Sequence, residues 1–67
     1  MTTQNNTYAG ITLRHRPLIF RSLDLAGNCA ARDPKAVVMM GVVGEYVVVC
    51  MADAARMERA GFEFASL

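Results

Sequence analysis

The sequence of 67 residues contains no tryptophan, one histidine and two cysteines, and these shortages exclude several classes of protein. Cys29 and Cys50 lie too far apart for a CxxC motif, and one pair does not make the disulfide framework of a small secreted domain. One histidine and two distant cysteines also provide no recognisable spacing for a metal site. We therefore expect free thiols, a reducing cytoplasm and no cofactor.

Charge of either sign is scarce as well. The formal net charge is +1, so no field of the whole molecule favours nucleic acid or anionic lipid. The charge is unevenly distributed, because residues 1–35 sum to +3 and residues 36–67 sum to −2. We expect a weak dipole across the molecule.

The sequence also lacks an apolar run long enough for a membrane helix. Residues 36–52 carry a single charge, Glu45, but a span needs about 20 residues. Glu45 lies in the middle of this run, where a charge is most costly. We expect no membrane-spanning segment.

Hydrophobic residues, in contrast, are abundant at 54%. A chain this short forms one domain and buries only about 60% of the surface that its unfolded state exposes. We expect a loose polar tail at residues 1–7 and a single domain at residues 8–67. Part of the apolar surface of that domain should be covered by another molecule.

The element that the sequence predicts most clearly is a valine-rich β-hairpin at residues 36–50, AVVMMGVVGEYVVVC. β-Branched residues favour strands, which predicts strands at residues 36–40 and 45–50 around a turn at residues 41–44. The apolar runs are almost continuous, which is typical of strands covered on both faces. We expect the chain's own helices to cover one face and a partner to cover the other.

Two helices are predicted around this hairpin. Residues 22–32 form the first, with Ser22 or Asp24 as its N-cap. Residues 51–60 form the second, and Gly61 suits the left-handed position that follows a helix. Phe62 would then contact Met57 in a Schellman cap.

Three further strands complete the prediction. Residues 8–13 and 18–21 form a first hairpin around the loop at residues 14–17, and residues 62–64 form a short final strand. The expected fold is an α+β single domain, mostly antiparallel, with the order β-β-α-β-β-α-β.

A basic patch is the most specific polar feature. Arg14, Arg16 and Arg21 would lie close together across the first hairpin, and Arg32 and Lys35 would extend the patch. The planar guanidinium group suits recognition of carboxylate or phosphate, so an acidic protein surface or a nucleic acid is the expected ligand. An ordinary charged hairpin tip is the alternative interpretation.

An acidic set in the C-terminal half gives the mirror-image hypothesis. Glu45, Asp53, Glu58 and Glu63 would form a binding face for a basic groove, or else a solubilising surface. Asp53 and Glu58 lie beside Arg56 and Arg59 and are interpreted as solvated helix charges and ion pairs. Tyr46 is one of the few aromatic residues available to a ligand.

Catalytic chemistry has little support in the sequence. His15 as a general base for Cys29 or Cys50 is one hypothesis, and a helix directly after Cys50 would favour its thiolate. The simpler interpretation is an exposed turn histidine and a core or capping cysteine. We expect no enzyme and assign no catalytic residue.

The chain resembles the small inhibitors encoded by phages and other mobile elements, including anti-CRISPR proteins. The resemblance rests on size, on the order of elements and on the stretch GEYVVVCMADAARMERAGFEF. It implies a non-catalytic protein that binds a large host effector and blocks it sterically. Self-association through strand addition and a nucleic-acid-binding regulator using the arginine hairpin are the alternatives.

Overall fold

A computed structural model describes residues 6–65, which form an α+β domain in the predicted order. The first predicted strand is divided into two short ones. The elements of the described chain are β1 (Thr7–Tyr8), β2 (Ile11–Thr12), β3 (Leu18–Phe20), α1 (Leu23–Ala31), β4 (Ala36–Met40), β5 (Tyr46–Cys50), α2 (Met51–Arg59) and β6 (Glu63–Phe64).

The valine hairpin is confirmed as the centre of the structure. Strands β4 and β5 pair antiparallel over their full length, with Val38 opposite Val48. The hairpin closes where the amide of Gly41 donates to the carbonyl of Glu45 over 3.0 Å. The other two strands of the sheet and both helices pack around these two central strands.

The predicted first hairpin is wrong. Strand β3 pairs antiparallel with β5, and the four-stranded sheet has the order β3-β5-β4-β6. Residues 7–12 instead turn back on themselves, because Ala9 and Gly10 both have positive φ angles, 51° and 83°. Such a pair of angles makes a type I′ turn, which closes a two-residue hairpin loop.

Both faces of the central strands β4 and β5 pack against other elements of the chain, so the expectation that one face of the valine hairpin needs a partner is wrong. Helix α1 covers one face, where Ala26 and Ala30 pack against Val38 and Val48. Helix α2 and the β1–β2 hairpin cover the other. The residues buried there are Tyr8, Leu13, Met39, Val47, Val49, Ala54 and Met57. The small side chains of α1 let this short helix lie close to the sheet.

The ends of both helices follow the predicted chemistry. Ser22 is the N-cap of α1, and its hydroxyl accepts a hydrogen bond from the amide of Leu25. After α2, Gly61 has a φ angle of 106°, and the amide of Phe62 donates to the carbonyl of Met57 over 3.0 Å. This is the Schellman cap that the sequence predicts.

The predicted N-terminal tail lies largely outside the described residues, which begin at Asn6. Thr7, which the prediction assigned to the tail, belongs to β1. The carbonyl of Asn6 accepts a hydrogen bond from the amide of Leu13 over 2.8 Å. The ordered domain therefore begins at least two residues before the predicted boundary.

We predict that Ala9→Asn stabilises the domain. Alanine in the left-handed region carries a steric penalty that asparagine largely escapes, and Asn-Gly is the favoured type I′ pair. The expected gain in the free energy of unfolding is about 0.5–1 kcal/mol, measured by urea denaturation.

The matched control is Ala55→Asn, at an exposed position of α2. The same exchange there should destabilise by about 0.5 kcal/mol because asparagine is a poor helix former. Equal effects at the two positions would contradict the assigned turn.

Candidate functional site

Asp53 is a completely buried carboxylate in the first turn of α2. Its Oδ1 accepts a hydrogen bond from the amide of Arg14 over 2.7 Å, and its Oδ2 accepts one from the amide of His15 over 3.1 Å. The interpretation of Asp53 as a solvated charge is therefore wrong, although the expected ion pair forms, with Arg56 Nε 4.0 Å from Asp53 Oδ1. Its carboxylate fixes the β2–β3 connection to α2 and is not accessible to a partner.

The hydrogen bonds around Asp53 also set its ionisation. Burial raises the pKa of this carboxyl, but the hydrogen bonds from the Arg14 and His15 amides act in the opposite direction. The thiol of Cys50 and the charge of His15 add to these bonds, and the net pKa lies below the ordinary value of 3.8. Asp53 is therefore ionised in the folded chain at neutral pH.

Glu45 is likewise engaged within the domain. The Tyr8 hydroxyl donates to Glu45 Oε1 over 2.7 Å and accepts from the amide of Val42 over 2.8 Å. Burial, followed by the hydrogen bond to Glu45, raises the pKa of Tyr8. A side chain at Gly41 would collide with the Tyr8 hydroxyl, so glycine at this position permits the contact.

The three arginines predicted to bind a ligand are exposed and flank β3. Arg14 and Arg16 precede this strand and Arg21 follows it. They do not face one another across a hairpin, because the predicted pairing is absent. Arg16 and Arg21 instead lie within two residues of the two ends of β3, while the backbone of Arg14 is hydrogen-bonded to Asp53.

The outer edge of β3 is open. Gly41 and Glu45 form a hydrogen-bonded pair, and in an antiparallel ladder such pairs alternate with pairs that are not hydrogen-bonded. The amides and carbonyls of Tyr46 and Val48 therefore point away from β4 and toward β3. Leu18 and Phe20 are their partners, whereas the amide and carbonyl of Ile19 point away from β5. Within residues 6–65 no strand pairs with that side of Ile19, whose side chain is 49% exposed.

The remaining predicted binding residues do not form one face with Asp53. Tyr46 is half-buried and packs in the cluster beneath α1. Glu58 is exposed on α2, and Glu63 is exposed on β6. With Asp53 buried and Glu45 bonded to Tyr8, the proposed acidic face is reduced to Glu58 and Glu63.

The fold brings His15 and Cys50 to the same end of the sheet. His15 is exposed as predicted, and Cys50 is the half-buried N-cap of α2. Both line a cavity at one end of the sheet. The Cys50 thiol contributes to the lowered pKa of Asp53 but makes no capping hydrogen bond to the first turn of α2.

In comparisons with known proteins, no family model, no curated protein and no solved structure matches the chain. Within residues 6–65, neither helix has the length and apolar character needed to cross a bilayer. In the same range, no three His, Cys, Asp or Glu side chains are grouped so that they could hold a metal ion.

Sequence reasoning missed the structural role of Asp53 and the cavity beside Cys50. Asp53 is the third residue of α2, where a capping box would direct its carboxylate to the N-cap amide, so nothing local indicates that its donors are the amides of Arg14 and His15. The cavity depends on where α1 ends relative to β4 and β5. Nothing in the local sequence reports that distance.

We predict that Asp53→Asn destabilises the domain by about 2–4 kcal/mol at neutral pH, because an amide cannot accept both backbone bonds. Urea denaturation at pH 7 measures the loss. The lowered pKa adds a pH dependence, since the stabilisation is present above the ordinary pKa and disappears as pH falls through the folded value. The urea concentration at the unfolding midpoint of the wild type should therefore decrease as the pH is lowered below about 4. The midpoint of the variant should decrease less over the same pH range.

Glu58→Gln is the matched control, because it removes an exposed carboxylate from the same helix. Its stability should stay within about 0.5 kcal/mol of wild type. A similarly small loss in Asp53→Asn would show that the carboxylate does not hold the β2–β3 connection.

Proposed function

We propose that this chain is a non-catalytic protein-binding module that adds an acidic, extended segment of a partner to the edge of β3. The open backbone edge at Ile19, flanked by exposed arginines, is the observation that carries the proposal. Strand addition provides main-chain hydrogen bonds, and neighbouring side chains provide specificity.

Charge favours an acidic partner. Residues 14–22, RHRPLIFRS, contain three arginines and one histidine but no acidic residue. Within the described chain, the ion pair that forms is Arg56 with Asp53, and Arg14, Arg16 and Arg21 have no such partner. Complementary charge on an incoming strand would raise the association rate and exclude basic segments.

A second copy of the chain suits this edge less well. Antiparallel pairing of two β3 strands about Ile19 would place Arg21 of one copy opposite Pro17 of the other, near Arg16. Four arginines would then share one short ribbon without a counter-charge, and like charges in such positions destabilise pairing. The partner is therefore a foreign protein segment.

The biological role we propose is inhibition of a host effector complex by steric occlusion, as the resemblance to anti-CRISPR-like proteins implies. Asp53, Glu45 and Tyr8 support a role without catalysis, because their polar atoms are used to fasten elements of the fold. The arginine-flanked edge of β3, in contrast, has no strand paired with it in the described chain and is free for contact with another molecule.

Nucleic acid is the second candidate ligand, because unpaired arginines also suit phosphates. Phe20 and Tyr46 are half-buried in the cluster beneath α1, so they do not form an open stacking platform. A gel shift that weakens with salt and with Arg14→Ala plus Arg16→Ala would favour this candidate over the protein segment.

The test is a selection from a library of displayed random peptides on the immobilised chain. We expect the recovered peptides to be rich in Asp and Glu and to bind about tenfold more weakly to Arg16→Ala plus Arg21→Ala. Ile19→Pro should abolish binding, because it removes the outward amide and leaves the bonds to β5 intact. Dissociation constants measured by calorimetry check both statements.

Arg59→Ala is the control, since it removes an exposed arginine from the last turn of α2. If Ile19→Pro fails to fold by circular dichroism, a chemically synthesised chain with N-methylated Ile19 replaces it. Peptides that bind the edge variants as well as wild type would refute the proposal. Sedimentation showing a wild-type dimer that Ile19→Pro dissociates would favour a second copy instead.

A further inference from the structure

A cavity of about 330 Å³ lies beside the first residue of β3, where β4 begins and β5 ends. The face that α1 covers is incompletely filled at this end, because α1 ends at Ala31 and the chain then turns back into β4. Its lining combines apolar side chains from β3, β4 and β5 with charged side chains from the segments that precede β3 and β4.

The floor of the cavity is apolar. Leu18 lies opposite Val48, and Ala36 lies opposite Cys50, so these four side chains share the face of the sheet that α1 packs against. Leu18 is 48% exposed although its neighbour Val48 is buried. An aliphatic group seated here would remove that surface from water.

The rim of the cavity is cationic. Arg16 and Lys35 contribute two positive charges and Asp33 one negative charge, so the sum is +1 with His15 neutral. Asp33 Oδ1 already accepts the backbone amide of Lys35 over 2.9 Å. Within the described residues neither Arg16 nor Lys35 forms an ion pair. The net charge of +1 complements the single negative charge of one carboxylate, to which Arg16 and Lys35 can donate charge-assisted hydrogen bonds.

The direction of β3 identifies which part of a partner reaches this cavity. Every pairing in the four-stranded sheet is antiparallel, and we take the added strand to continue this arrangement because antiparallel pairing is the more stable. Such a strand runs from Phe20 toward Leu18, so its C-terminal end arrives at the cavity. We propose that the cavity binds the C-terminal residue of the partner segment, with its aliphatic side chain on Leu18 and its α-carboxylate on Arg16 and Lys35. This inference rests on the proposed strand addition and names the part of the partner that the site selects.

The test uses N-acetyl-leucine and N-acetyl-leucinamide, which fit the cavity without needing the β3 edge. Cys50 reports occupancy in a Cys29→Ser background, because its thiol lies in the lining. At millimolar concentration the acid should slow alkylation of Cys50 by iodoacetamide about threefold, and the amide should not. Arg16→Ala plus Lys35→Ala should abolish this protection.

Acidic hexapeptides ending in leucine, made with a free and with an amidated C-terminus, extend the test to the partner segment. The free acid should bind about tenfold more tightly than the amide, and Arg21→Ala should weaken both while preserving their ratio. Equal affinities of acid and amide, or protection by N-acetyl-leucinamide, would overturn the cavity proposal while leaving strand addition standing. Protection by N-acetyl-leucine without binding of either peptide would overturn strand addition.

Discussion

The carboxylate of Asp53 is the interaction on which the arrangement of the N-terminal third depends. Two amide hydrogen bonds, of 2.7 and 3.1 Å, join residues 14 and 15 to the first turn of α2. Since α2 follows directly from β5, this contact fixes where the chain enters the four-stranded sheet as β3. A buried charge is costly unless its hydrogen bonds are satisfied. Any path of residues 14 and 15 that removes their amides from the Asp53 carboxylate is therefore destabilised.

A second contact holds the other end of the same segment. The Tyr8 hydroxyl bridges Glu45 and the amide of Val42, so the β1–β2 hairpin is fastened to the turn of the valine hairpin. Tyr8 and Leu13 are thereby buried against the central strands. A domain of this size buries only a small apolar core. Tyr8 and Leu13 cover apolar side chains of β4 and β5 that would otherwise be exposed or need a partner.

The elements that sequence reasoning predicted well are those with strong local chemistry. The valine strands, the Ser22 cap and the Gly61 cap all follow from residue type and spacing. The β1–β2 hairpin was missed because Ala9 stands where asparagine would signal the turn. The role of Asp53 was missed because its hydrogen-bond donors lie 38 and 39 positions away, at a distance that only the tertiary fold removes.

Asp53 holds residues 14 and 15 so that β3 presents an open edge at Ile19. Amide hydrogen exchange measured by NMR tests this most directly. We expect slow exchange for the amides of Arg14, His15, Leu18 and Phe20, and fast exchange for the amide of Ile19 between two protected neighbours. Slow exchange at Ile19, or fast exchange at Arg14 and His15, would contradict it.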